Sequence, residues 1–135
     1  MKYTSELYSL ALISTATALM WVPYVLARMT THGVLRAIGT PGTGYPADAP
    51  WADRARRAHL NAIENLVVFA PLVLVCAIIG VSTRATVLSS QIYVAARLAH
   101  YVIYVMGIPV VRTVAFLVGA CATIAIAVAL LSSAT

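Results

Sequence analysis

The chain has 135 residues, 61% of them hydrophobic and only 10% charged, with a formal net charge of +5. Soluble domains carry roughly 25% charged residues; a mean hydropathy of +0.91, with the apolar residues gathered in long runs, excludes that class and indicates an integral membrane protein. The basic excess sits mostly beside the apolar runs, where it sets orientation, and no basic stripe with interleaved aromatics points to nucleic acid.

The first apolar run covers about 5–27. Ala16-Thr17-Ala18 loosely resembles a signal cleavage site. The run continues past it to Leu26, longer than the roughly 7 to 15 residues of a signal core. It therefore reads as a retained helix, with Pro23 placed to bend it. The stretch 39–50 (GTPGTGYPADAP) is rich in Gly and Pro and should be irregular. Pro50 suits the first turn of a helix, and Asp53 favours the positive end of that helix. The second helix is thus expected over 50–80, roughly 45 Å long at 1.5 Å per residue. Its first two turns lie outside the membrane, and Pro71 should kink it. Gly80 and Ser82 mark a tight turn. Third and fourth helices follow at about 85–106 and 110–131.

Each apolar run has about 20 residues or more, enough for a hydrocarbon core of roughly 30 Å. Only helices and closed barrels satisfy their backbone in lipid, and strict strand alternation is absent. The expected fold is an all-α membrane protein, a bundle of four transmembrane helices over a single domain, 1–135. The two cysteines, Cys76 and Cys121, fall within spans at no paired spacing, so neither a disulfide nor a metal site is indicated. Arg28, Arg36, Arg54, Arg56, Arg57 and Arg112 gather on one side, against Lys2 and Arg84 on the other. Loop 28–57 and the turn 107–111 should then be cytoplasmic, with both termini outside.

Polar residues inside the spans carry the functional signal, because they are costly there. Arg54, Arg57, Asn61 and Glu64 are spaced three, four and three apart, on one helix face. Arg97, His100 and Tyr104 share a face of the third helix, and Arg112 opens the fourth. Glu64 lies roughly 9 Å into the membrane and Arg97 roughly 14 Å from its cytoplasmic end. The outer half reads as almost purely apolar. One-sided clustering suggests a pocket open to the cytoplasm. Arg54 and Arg56 serve most simply as orientation anchors. An ion pair between Glu64 and Arg97 accounts for those two residues alone. A site for a zwitterionic ligand accounts for the whole set: arginines for carboxylates, Glu64 for an ammonium group, His100 and Tyr104 for further hydrogen bonds.

The stretch D-R-A-R-R-A-H-L-N-A-I-E-N-L-V-V-F, from Asp53 to Phe69, resembles the signature of the MAPEG family, the membrane-associated proteins of eicosanoid and glutathione metabolism. A-R-L-A-H-Y-V-I-Y, with Arg97, His100 and Tyr104, is a second match. Pro109 to Arg112, then Phe116 and Gly119, is a third. The likeness covers about residues 10 to 131 and is nearest the microsomal glutathione transferase type. It implies a homotrimer of four-helix subunits that binds glutathione between neighbours near the cytoplasmic face. By that resemblance, Arg57, Asn61, Glu64, Arg97, His100 and Tyr104 bind glutathione, and Arg112 stabilises its thiolate. A thiol of pKa near 8.5 is only about 3% ionised at pH 7. A guanidinium that lowers it by about 1.5 units makes roughly half of it thiolate, about a fifteen-fold gain. The thiolate would attack a lipophilic electrophile or hydroperoxide partitioned into the bilayer, with no metal required.

The sequence departs from the family pattern in three places. Asp53 stands where Glu is usual. The connection before Arg112 is one residue shorter than in glutathione transferase relatives and lacks their extra Pro. Leu60 occupies the position of an Arg in the specialised prostaglandin and leukotriene synthases, which argues against those activities. Arg28 is the candidate for the family's basic residue at the end of helix one. The expected setting is a bacterial-type inner membrane. Two other functions remain open at this level: a catalytically silent relative with a structural or lipid-binding role, and a small proton-coupled transporter that switches on Glu64.

Overall fold

The computed structural model describes residues 3–39 and 46–133. Lys2, used in the charge count, and positions 40–45 of the Gly/Pro-rich stretch lie outside the described residues. All regular structure among the described residues is helical: α1 Ser5–Leu19, α2 Val22–His32, α3 Val34–Ile38, α4 Pro50–Ile79, α5 Arg84–Met106 and α6 Pro109–Ser132. The protein is an all-α, multi-pass integral membrane protein. Among the described residues three segments are long and apolar enough to cross a bilayer: Ser5–His32, Pro50–Ile79 and Pro109–Ser132. α5 is not one of them, because Gln91, Arg97, His100 and its many hydroxyl residues lower its hydropathy.

The first helix, expected over 5–27 with a bend at Pro23, runs further, to His32. It breaks at Met20–Trp21 and resumes as α2. Pro23 explains the break: it lacks an N–H and its ring clashes with the carbonyl four residues back. The Met20 carbonyl accepts a hydrogen bond from Tyr101 Oη at 3.0 Å, so the interruption is satisfied from α5. The short α3 was not foreseen. It follows Gly33, whose φ of 82° belongs to a region that glycine favours.

α4 begins on Pro50, carries Asp53 in its first turn, and ends on Gly80 at φ 79°. Pro71 lies inside it without ending it. Ala52, Ala55, Ala58 and Ala62 are all buried on one face, and small residues there let neighbouring backbones approach closely.

Cross-helix hydrogen bonds fix the directions. Glu6 meets Thr86 and Ser9 meets Ser90, so α1 and α5 run parallel. Arg54 reaches Val105 and Arg97 reaches Asn65, so α4 runs against α5. α6 returns beside α5 after only Gly107 and Ile108. The result is a bundle of four alternating rods. Its apolar core joins Ile13, Phe69, Val73, Cys76, Tyr93, Val94, Ala122 and Ile126. Phe69 and Tyr93 stack at 3.7 Å between ring centroids, 3° from parallel.

The end of the bundle remote from Arg112 is not purely apolar, contrary to expectation. Glu6, Ser9, Thr86, Ser89 and Ser90 are buried there. The Glu6 carboxylate accepts from Thr86 Oγ1 at 2.6 Å and from Ser82 Oγ at 3.0 Å, tying α1 to the α4–α5 turn. At the opposite end Asp48 accepts from Arg28 Nη2 at 2.8 Å and lies 3.3 Å from His32 Nε2. The Arg28 hydrogen bond, supported by its charge and by His32, holds the Asp48 carboxyl below the usual carboxylate range despite partial burial.

Two outcomes follow from these ties. Glu6→Ala should lower unfolding stability in detergent by about 1–3 kcal/mol, the loss expected for a buried charge-assisted hydrogen bond; a change in thermal midpoint within error would refute the tie. For Asp48 the sign follows from its lowered pKa. Its contribution is full above the ordinary carboxylate range and is lost as pH falls through the depressed value. The stability gap between the natural protein and Asp48→Asn should therefore be present at pH 7 and close below about pH 4. Because the pair is partly exposed, the gap should stay under about 1 kcal/mol.

Candidate functional site

The site is assembled by the α5–α6 hairpin leaning on α4. Gly107, at φ 78°, closes α5 in the left-handed conformation that suits a glycine C-cap. Arg54 Nε donates to the Val105 carbonyl at 2.8 Å. A helix's last carbonyls need such a donor, so Arg54 caps α5; the sequence had suggested only an orientation anchor. With the turn held this tightly, the last residues of α5 face the first turns of α6.

Asn61, His100, Tyr104, Arg112, Thr113 and Phe116 line an open cleft of about 200 Å³. The Arg112 guanidinium carbon sits 4.3 Å from the centroid of the Tyr104 ring, a cation–π contact that orients it. His100 is buried, edge-on to Tyr104 at 5.6 Å and tilted against Phe116 at 6.2 Å. Among the described residues no carboxylate lines this cleft. It offers a fixed positive charge, hydroxyls and an amide, a set that suits an anionic or electron-rich group.

Arg97 lies behind the cleft rather than on its wall. It is 2% exposed, and its Nη2 donates to Asn65 Oδ1 at 2.7 Å. Among the described residues its Nε and Nη1 have no hydrogen-bond partner. The guanidinium instead lies over the rings of Phe116 and Tyr93, at 5.0 and 5.3 Å from their centroids. An ion pair with Glu64 is not formed: Asn65 takes its place, and Glu64 is exposed on α4. Gly119 completes the enclosure, since a Cβ there would stand 2.9 Å from Arg97 Nε.

The residues expected at the site thus fall into three groups. Asn61, His100, Tyr104 and Arg112 meet in the cleft. Arg97 is buried beside it. Arg57 and Glu64 lie on the exposed face of α4, and Arg57 Nε is paired to Asp53 at 2.8 Å. Three contributors went unassigned from sequence: Asn65, Thr113 and Phe116. Asn65 is four residues from Asn61 and Phe116 four from Arg112, a helical spacing that could have drawn attention to both. Among the described residues no group of His, Cys, Asp and Glu could hold a metal ion.

Comparison with known proteins gives a consistent picture. The sequence pattern of the MAPEG family matches residues 8–132. Microsomal glutathione S-transferase 1 of Homo sapiens is 30% identical over 131 residues, covering 96% of this chain and 84% of that protein. The Bos taurus protein of the same name is 35% identical and the Rattus norvegicus one 37%. Those two alignments run over 82 residues and cover 60% of this chain and 53% of each relative.

The packing around Arg97 can be tested at Gly119. Replacing glycine by alanine within a helix gains up to about 1 kcal/mol, but overpacking a closed site costs about 1–3 kcal/mol. Gly119→Ala should therefore be net destabilising by up to about 2 kcal/mol. On an Arg97→Ala background the same change should become neutral or stabilising. Equal thermal shifts in both backgrounds would show that Arg97 is not what Gly119 accommodates.

Proposed function

The chain belongs to the MAPEG family, and from that premise we propose that it is a glutathione-dependent membrane transferase or peroxidase. The observation that carries this reading is the cleft itself. Arg112, fixed over Tyr104, faces an open space shared with Asn61 and His100 and free of any carboxylate. A thiolate is the group that such a site stabilises.

In the proposed reaction, glutathione is held by Arg57, Asn61, Glu64, His100 and Tyr104, with Arg97 adding positive potential from behind. Arg112 is the catalytic residue. Its charge favours loss of the thiol proton to solvent and then faces the sulfur anion. Sulfur forms a bond to a lipophilic electrophile, whose leaving group departs with the electron pair. With a hydroperoxide, sulfur bonds to the terminal oxygen as the O–O bond breaks and the alkoxide takes a proton; a second glutathione then condenses with the sulfenic acid to give the disulfide and water. No step needs a metal.

The exposed positions of Arg57 and Glu64 leave room for a site finished by a neighbouring subunit, and the homotrimer in this proposal is what the resemblance to the family implies. We also infer that α5 crosses the membrane as a fourth span. Its 23 residues reach roughly 34 Å at 1.5 Å per residue. Arg97, His100, Thr86 and Ser90 are turned inward, while Leu88, Ile92, Leu98 and Val102 are exposed. From the positive-inside bias we infer that the cleft faces the cytoplasm with the termini opposite.

Adding glutathione to the purified protein in detergent should produce the ultraviolet thiolate band. In Arg112→Ala the bound thiolate should fall from about half toward about 3% at pH 7, roughly fifteen-fold, with glutathione binding largely kept. Folded protein that shows no band at saturating glutathione would overturn the proposal.

A further inference from the structure

Arg97, Asn65 and Asn61 form a chain of hydrogen bonds with a fixed direction. Arg97 Nη2 lies 2.7 Å from Asn65 Oδ1. A guanidinium can only donate, so the oxygen of the Asn65 amide must face it. The amide nitrogen of Asn65 is thereby turned the other way. It donates to the Asn61 backbone carbonyl at 2.8 Å and to Asn61 Oδ1 at 3.3 Å. With its oxygen engaged, Asn61 has its NH₂ left for the cleft it lines.

We propose that Asn65 is a positioning residue that passes the donor-only character of the buried Arg97 to Asn61, so that the cleft presents N–H donors there and selects a hydrogen-bond acceptor on the ligand. An asparagine left to itself can present either end of its amide. Here the buried cation removes that choice. Arg97 is 2% exposed and has no carboxylate partner among the described residues, so reversing the Asn65 amide would set two donors against each other in a closed site. The ligand group at Asn61 is accordingly a carboxylate, a carbonyl or a thiolate, and a cationic ammonium is disfavoured there. This refines the glutathione reading and rests on it for the identity of the ligand.

The test uses the full chain in lipid nanodiscs, with glutathione affinity measured by calorimetry and folding by thermal midpoint. Asn65→Asp keeps an acceptor for Arg97 but removes the donor to Asn61. It should weaken glutathione binding roughly tenfold with the midpoint retained. On an Asn61→Ala background the same substitution should cause no further loss. Unchanged affinity in Asn65→Asp, or an equal loss in both backgrounds, would overturn the relay, the latter because an added charge acting through space does not need Asn61. The natural protein supplies an independent reading, because Asn61 and Asn65 are its only two asparagines. In protein labelled with ¹⁵N-asparagine, the Asn65 side-chain amide should exchange slowly with solvent without ligand and the Asn61 amide quickly. The reverse order would sink the proposal even if Asn65→Asp fails to fold. If the natural protein binds no glutathione, the functional reading fails, and the exchange order still decides the relay.

Discussion

A buried guanidinium without a carboxylate governs the architecture of this protein. Removing an ion from water costs several kcal/mol even after the surroundings relax, and Arg97 is nearly inaccessible. The neighbours offset that cost in three ways. Asn65 accepts one hydrogen bond, Tyr93 and Phe116 offer ring faces, and Gly119 withholds a side chain so that α6 can close over the group. These groups come from three helices: Asn65 from α4, Tyr93 from α5, and Phe116 with Gly119 from α6. The position of α4 and α6 against α5 is therefore tied to the demands of a single charge.

That arrangement also explains why the cleft is positive. Two arginines lie close to it, one on its wall and one behind it, and no acid balances them locally. The opposite end of the bundle reverses the chemistry: a single buried carboxylate there collects hydroxyl donors. Polar groups thus occur at both ends of the bundle, and the apolar core of Phe69, Tyr93 and Ile126 separates them.

Much of the fold could be read from the chain because its signals are local. Pro50 and Gly80 bound α4, and hydrophobic runs mark the remaining long helices. The interruption after Leu19 was harder to place, since Pro23 alone does not say at which residue a helix bends; a hydroxyl from α5 satisfies the Met20 carbonyl there. The spacing of Arg54, Arg57, Asn61 and Glu64 on α4 and of Arg97, His100 and Tyr104 on α5 suggested one face each, yet of these only Asn61, His100 and Tyr104 line the cleft. Spacing could not foretell which neighbour each face would meet. Hence Glu64 was a reasonable partner for Arg97 on depth alone, whereas rotation of α4 presents Asn65 instead. Arg54 shows the same gap: charge counting suggests only an orientation anchor, but its bond to a carbonyl of α5 depends on tertiary contact. Glu6 was passed over because one acid at a helix start reads as an ordinary end residue.

The two-residue link between α5 and α6 bears on how such a chain enters a bilayer. α5 is the long helix whose polar content keeps it out of the set apolar enough to cross alone, while α6 is the most apolar of the segments in that set. If α5 crosses as proposed, the two helices joined by Gly107 and Ile108 would leave an insertion channel together as one hairpin, with Arg97 already covered by the small face of α6 around Gly119. Biogenesis then becomes a partitioning problem for a pair: the surplus hydrophobicity of one helix carries the polar load of its partner.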